Sequence, residues 1–436
     1  MLLCVIYVLG PYISTVVVGD PVQGQAMVTG WHKISGLFVA FTAPFLGAAT
    51  DRMGRRKPML AVVTLVLAAG VFAQYWAMPG GAGLPLWGVG AAVIVAGIAF
   101  AYSEVLHNSM ITRAAHHDVL PYVSGLGLAL GNLASVLLLV FVLVTIALPG
   151  QVDWPFVADT PLFGLDPAAH EPSRVVAIIC ALWLLVFAAP IFLYTRDLDT
   201  TGERFIDAAR RGVGNVMRTI RKLRDYRNVA LFLLARMLYA DGKTAILIVS
   251  GIYAAGVMGW GLIEMLAFGV ILTTFAVFGG FVGGWLDSNV GPKRAVTLEV
   301  GVTFLCLIAM VSMAPSSMLF FIPVDPEALI WEGPIFRTAP ELGYMGFAII
   351  IAISITAAYA SSRTLMARLA PPGMEGELFG LYALAGSATV WLGPLLVEYF
   401  TSTYQSQRVG FASIAILLVA GFVLLLFVKP PAQRAD

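Results

Sequence analysis

Gly47-Ala-Ala-Thr-Asp51-Arg52-Met-Gly54-Arg55-Arg56-Lys57 lies between two long apolar runs. A degenerate copy, Gly283-Gly284-Trp285-Leu286-Asp287-Ser-Asn-Val-Gly291-Pro292-Lys293-Arg294, returns about half a chain later. A stretch that sets an acid and several bases among glycines is too polar to cross lipid, so each copy must join two helix ends at a membrane face. The same device occurring twice implies a duplicated helical bundle.

Hydrophobic residues make up 59% of the 436-residue chain, charged residues 12%, and the net charge is +1. The mean hydropathy is +0.88. Soluble domains carry about 25% charged residues, so the solvent of this chain is a bilayer. A near-neutral chain offers no global basic surface, and nucleic acid is not an expected partner. Cys4, Cys180 and Cys306 each fall inside an apolar run, which predicts neither a disulfide framework nor a zinc site.

Windows of about 20 apolar residues, the length that crosses a bilayer as a helix, fit twelve times. They cover 2–19, 27–49, 58–78, 86–110, 122–148, 174–194, 229–250, 261–286, 295–322, 343–369, 376–400 and 409–428. Backbone groups in lipid must be satisfied internally, so runs of this length mean helices rather than a barrel. The expected fold is an all-α membrane protein of twelve transmembrane helices in two pseudo-symmetric six-helix bundles. The N-terminal bundle takes 1–195, a cytoplasmic basic amphipathic linker 196–228, and the C-terminal bundle 229–436.

Even-to-odd connections hold most of the bases: Arg52, Arg55, Arg56 and Lys57, then Arg113, the linker, Lys293 with Arg294, and Arg368. The positive-inside rule then places both termini in the cytoplasm. Trp31, Trp76, Trp87, Trp154, Trp260 and Trp331 fall at the opposite boundaries, where indoles favour the interface. In the linker, Arg204, Arg210, Arg211, Arg218, Arg221, Lys222, Arg224 and Arg227 accompany apolar residues at helical spacing, which predicts a helix lying on the cytoplasmic leaflet. Met1 opens directly into an apolar run with no basic leader, a pattern that fits a clipped first helix better than a cleavable signal peptide.

Polar residues within spans are costly, on the order of 3 kcal/mol per charge, and mark candidate sites. The densest group is Arg236-Met-Leu-Tyr239-Ala-Asp241-Gly242-Lys243-Thr244 in the seventh span. By helical rise Asp241 lies about 18 Å from the inner end, close to the midplane. At about 100° per residue, Arg236, Tyr239 and Lys243 share a face and Asp241 points nearly the opposite way. Either Gly242 loosens the helix or Asp241 finds a partner on a neighbour. Glu104, His107, Asn108, Arg236 and Arg363 form a second layer near the inner ends of their spans. Glu264, Glu299 and Glu398 lie near span ends and read as interfacial. His116-His117-Asp118 reads as a solvated loop, so no metal is expected. No phosphate-binding loop supports ATP-driven pumping, no nucleophile–base set supports a hydrolase, and no cofactor is expected.

The first basic stretch resembles the signature loop of the major facilitator superfamily, which joins its second and third helices; the second copy falls where that superfamily repeats it. Arg236-Met-Leu-Tyr-Ala-Asp-Gly242 and Gly251-Ile-Tyr-Ala-Ala-Gly-Val-Met-Gly-Trp260 resemble the autophagy-related vacuolar effluxer group within it. So do Ser361-Ser-Arg363-Thr-Leu-Met-Ala-Arg368-Leu, Glu377-Leu-Phe-Gly380-Leu-Tyr382 and Gly393-Pro394. In fungi that group is associated with amino-acid export from the vacuole. Two features depart from it. The polar Asp-Trp-Ala-Asn-Ser-type string of its first helix has no counterpart here, and its fourth-helix Tyr-Asn reads His107-Asn108.

The resemblance implies a secondary transporter of the cell (inner) membrane, not an enzyme, that works by alternating access between two packed halves. The expected cargo is a small polar solute such as an amino acid, with protons as coupling ion. Asp241, Lys243, Tyr239 and Asn108 are expected at the substrate or proton site, Lys243 facing a carboxylate and Asp241 an amine or proton. Glu104 with Arg236 or Arg363, together with Gly47, Asp51, Arg52, Gly54, Arg55 and Arg56, is the expected cytoplasmic gate. Gly283, Asp287, Gly291, Lys293 and Arg294 read as a topology anchor. A proton-coupled exporter of amphiphiles and a non-transporting sensor on a transporter fold are the alternatives.

Overall fold

The computed structural model describes residues 1–53, 55–114, 120–195, 197, 207, 214, 217, 221, 223–371 and 375–430. Most of the expected linker, Gly54 and the His116-His117-Asp118 cluster lie outside the described residues. The chain groups into two compact units, Met1–Val216 with Gly261–Gly269, and Met217–Trp260 with Val270–Asp436.

The first unit opens with α1 (Leu2–Val17), where α turns alternate with wider π turns over Val5–Leu9 and Ile13–Val17. It continues through α2 (Pro21–Met53), α3 (Lys57–Ala73), α4 (Leu86–Ala114), α5 (Leu120–Val142) and α6 (Glu171–Tyr194). Pro58 and Pro172 sit in first turns, where a missing N–H leaves no bond unmade. Arg174 of α6 is buried; its Nε donates to the Tyr75 carbonyl at 2.9 Å and its guanidinium lies 4.7 Å from the Tyr75 ring centre. With the Tyr12 hydroxyl donating to the Ala77 carbonyl at 2.9 Å, this pins the α3–α4 turn to α1 and α6.

The second unit contains α7 (Arg227–Tyr253), the greater part of α8 (Leu262–Asn289), α9 (Pro292–Val311), α10 (Ala339–Leu369), α11 (Glu375–Ser387), α12 (Leu392–Tyr404), α13 (Gln407–Ala412) and α14 (Ile414–Phe427). Here α7 packs on α14, and α9 on α10. Among the described residues nine stretches of helix are long and apolar enough to cross a membrane. Helix α7 is not one of them, because Arg236, Asp241 and Lys243 interrupt it.

Three expectations are corrected. The window 295–322 ends as helix at Val311, and the chain turns into a small antiparallel hairpin, Ser317–Met318 against Ile322–Pro323; Pro315 cannot continue the helical ladder. The window 376–400 is two helices with a break at 388–391. Pro394 has no N–H to offer the carbonyl of residue 390, and its ring crowds that carbonyl. Finally, the two basic stretches are mostly helix. Asp51 rides the last turn of α2, and Gly283 and Asp287 lie in the last turns of α8, leaving Val290 and Gly291 (φ 83°) to make the turn. Gly283 serves packing: a Cβ there would sit 2.9 Å from the Ala357 carbonyl oxygen of α10. Small residues permit this kind of close backbone approach between membrane helices.

Candidate functional site

Helix α7 stays regular through Gly242, so its charges keep the two faces that helical spacing assigns. Asp241 finds its partner on a neighbour. Its Oδ2 accepts from the Gly393 backbone N–H at 2.9 Å, in the first turn of α12, where the helix dipole favours an anion. Gly393 is needed for this approach, since a Cβ there would lie 2.6 Å from the Ala245 Cβ and 3.3 Å from Asp241 Oδ1. The Thr389 hydroxyl donates to the Met237 carbonyl at 3.0 Å, so the α11–α12 break is fastened to α7 at two points. Asp241 Oδ1 is buried with no hydrogen-bond partner among the described residues.

The opposite face of α7 carries two buried cations, each held by aromatic rings. The Arg236 guanidinium lies 3.5 Å from the centre of the Tyr382 ring of α11 and donates Nη1 to the Tyr382 carbonyl at 2.6 Å. The Tyr382 hydroxyl in turn pairs with Ser362 Oγ at 2.7 Å. One turn or more along α7, Lys243 Nζ lies 5.1 Å from the Tyr239 ring centre and 4.8 Å from that of Tyr359 on α10. Lys243 is 2% exposed, and among the described residues its ammonium has no hydrogen bond or ion pair to a carboxylate. Cation–π contacts contribute about 1–2 kcal/mol each in desolvated surroundings, enough for two rings to offset most of an insertion cost of about 3 kcal/mol.

Glu299 of α9, expected at the interface, is instead 3% exposed within the second unit. The window carrying it starts three residues later than the helix does, so it sits deeper than a span-end residue. The Ser361 hydroxyl of α10 donates to Glu299 Oε1 at 3.0 Å, while Oε2 is buried and unpartnered among the described residues. Lys243 and Asp287 both act on it electrostatically. The Tyr239 hydroxyl and Asp287 Oδ1 are likewise buried without a hydrogen-bond partner there.

The structure therefore brings Tyr239 and Lys243 together and adds Tyr359, Tyr382, Ser361, Ser362 and Glu299, which sequence reasoning missed as site residues. It does not bring Asp241 to Lys243. Arg236 is committed to Tyr382, whereas Arg363 is exposed on α10. In the first unit, Glu104 and His107 are exposed on α4, and the side chains of Asn108, Asp51 and Arg52 lie outside the described residues. Arg55 is exposed and Arg56 buried. The backbone N–H groups of Arg56 and Lys57, at the start of α3, donate to the Asp197 carboxylate at 2.9–3.1 Å, and Lys57 Nζ donates to the Phe192 carbonyl at 2.8 Å. The acid that meets the end of the signature stretch is thus Asp197, which follows α6.

The family described as "Vacuole effluxer Atg22 like" matches residues 116–436. The chain belongs to this family. Autophagy-related protein 22 of Coccidioides immitis (strain RS) is 25% identical over 288 residues, 62% of this chain and 45% of that protein. The chain spans about half the length of the fungal relatives it matches. The "uncharacterized MFS-type transporter YxiO" of Bacillus subtilis (strain 168) is 23% identical over 415 residues, covering 93% of this chain and 85% of that protein. Among solved structures, the nucleoside transporter NupG aligns with a TM-score of 0.64 at 11% identity, over 98% of this chain and 94% of NupG. The D-xylose-proton symporter aligns at 0.63 and 9% identity, over 99% and 96%. These likenesses show the fold, that of major facilitator transporters. This Atg22-family member is a multi-pass membrane protein of that fold.

Proposed function

We propose that the chain moves a small polar solute bearing a carboxylate, an amino acid or a close relative, across the cell membrane by alternating access. Transport is coupled to protons, and both termini face the cytoplasm. The observation that carries this reading is Lys243: a cation buried at mid-helix, steadied by Tyr239 and Tyr359 and left without a carboxylate partner among the described residues. A substrate carboxylate is the group it lacks. The family's designation as vacuole effluxers favours export of such a cargo. Asp241 supports the site from behind by holding the α11–α12 break.

Counterflow in proteoliposomes with a pool of labelled amino acids, at several imposed pH gradients, tests the proposal. Exchange of at least one amino acid that is lost in Lys243→Met supports it. No amino-acid flux together with efflux of hydrophobic dyes would assign the protein to amphiphile export instead, and a folded protein inert towards both would make it a sensor.

A further inference from the structure

We propose that Glu299 is the proton-binding carboxylate of this transporter, supplied from the cytoplasmic end through Asp287 and faced inside the bundle by Lys243. The inference deepens, and rests on, the proton-coupled reading above. Its basis is the way one carboxyl group is placed and left half-satisfied. Glu299 lies about 10 Å from the start of α9 by helical rise, and it is 3% exposed. One oxygen takes a single neutral donor, Ser361, and the other takes none among the described residues. A carboxylate kept permanently ionised in a buried setting gathers donors on both oxygens or a close ion pair. A carboxyl group that alternates between protonated and ionised forms needs no fixed donor on Oε2, because the proton itself occupies that position for part of the cycle.

The neighbours give that group an entrance and a reporter. Asp287 lies two residues before the end of α8, the end that the adjoining Lys293 and Arg294 assign to the cytoplasm. Its Oδ1 is also buried and unpartnered, and it acts electrostatically on Glu299. A proton leaving the Asp287 carboxyl and arriving at Glu299 Oε2 moves from the face of the unit into its core. Lys243 also acts on Glu299, and its ammonium lies over Tyr359, two residues from the Ser361 that donates to Glu299. When Glu299 is protonated, Lys243 loses the one carboxylate charge among the described residues that acts on it and takes a substrate carboxylate more readily. When Glu299 is ionised, its charge partly offsets that of Lys243 and the anion is released. Helix α9 packs on α10, α13 and α14. Helix α14 carries no ionisable group, α13 carries Arg408, and α10 carries Glu341, Arg363 and Arg368, while α9 itself carries Lys293 and Arg294. The charges that act on Glu299 are Asp287 and Lys243.

The test uses the full chain in proteoliposomes. Wild type is expected to accelerate amino-acid flux under an imposed pH gradient; Glu299→Gln is expected to lose that acceleration, read as the ratio of gradient-driven flux to counterflow in the same vesicles. Asp287→Asn is expected to slow the gradient-driven flux without abolishing it. Flux in wild type that ignores the gradient overturns the proton-coupled reading and this inference with it. A wild type that responds and a Glu299→Gln variant that responds equally overturns only the assignment to Glu299. Should Glu299→Gln fail to fold, infrared difference spectra of wild type across a pH step decide the matter. A buried carboxyl band that shifts on carbon-13 labelling of glutamate, but not of aspartate, supports Glu299, and a band that shifts only with aspartate labelling overturns it.

Discussion

The Asp241–Gly393 contact makes a prediction that separates holding the fold from handling the cargo. Asp241 acts as a cap supplied from another helix, accepting the Gly393 N–H at 2.9 Å in the first turn of α12. Asp241→Asn keeps an acceptor oxygen of the same reach and removes a charge whose insertion costs about 3 kcal/mol. Asp241→Ala removes the acceptor and leaves a buried N–H unsatisfied, which costs about 1–3 kcal/mol, in line with the ~0.5–2 kcal/mol lost when a helix cap is replaced by alanine. The alanine variant is therefore expected to be less stable than the asparagine variant by about 1–3 kcal/mol, and asparagine to match or exceed wild type. Unfolding titrations in mixed detergent micelles, followed by helical circular dichroism, measure this directly. Equal destabilisation by both substitutions would refute the reasoning, because it would mean that the charge, and not the acceptor, holds the α11–α12 break. If Asp241→Asn is stable yet inactive in counterflow, Asp241 also takes part in transport.

Gly283→Leu is expected to destabilise the second unit by about 1–3 kcal/mol through overpacking against the Ala357 backbone, whereas Gly284→Leu, whose Cβ would meet nothing within 4 Å, is expected to be neutral in the same titration. Arg236→Lys keeps the charge but loses the planar fit over Tyr382, and it is expected to cost about 1–2 kcal/mol; Tyr382→Phe, which keeps the ring, is expected to cost less. Tyr359→Phe is expected to retain counterflow and Tyr359→Ala to weaken it, measured as a rise in the half-saturating substrate concentration, since the ring and not the hydroxyl faces Lys243. Asp197→Ala is expected to cost about 0.5–2 kcal/mol by uncapping α3, and Asp197→Asn to recover most of that loss.

The hydropathy windows were enough to place nearly every helix, because length and apolar content are the two properties a bilayer enforces. They misjudged the places where the backbone leaves the helix for local reasons. Pro394 breaks a continuous apolar run at a point that hydropathy does not register, yet Gly393-Pro394 was a visible signal for it. The opposing faces of α7 were legible from 100° spacing alone, and so was the need for Asp241 to find its partner on another helix. Glu299 was misread because a single acid near the edge of an apolar window looks the same whether it faces headgroups or the bundle. Only the register of α9 against α10, which brings Ser361 to it, tells the two apart. Tyr359 and Tyr382 carried no pattern as ligands, since a tyrosine on an apolar helix is most often packing. Their role appears only once the cations of α7 are seen over their rings.

Two cations and two carboxylates are buried in the second unit, and none of the four is locked into a hydrogen-bonded ion pair with another among the described residues. Arg236 and Lys243 rest on tyrosine rings, while Asp241 and Glu299 each take one neutral donor. A tight buried ion pair is hard to use in a transport cycle, because pulling one partner away strands the other at a cost of about 3–5 kcal/mol. A cation on an aromatic face forfeits only about 2 kcal/mol when it moves, and the ring stays in place to receive it again. A carboxyl held by one hydroxyl can gain or lose a proton without breaking a network. The same economy of contacts that leaves Lys243 open to a carboxylate leaves Glu299 open to a proton. Replacing Ser361 by a cation, as in Ser361→Lys, adds a positive charge beside Glu299 and is expected to arrest the cycle, measured as loss of gradient-driven flux, by converting Glu299 from an exchangeable group into half of a fixed pair.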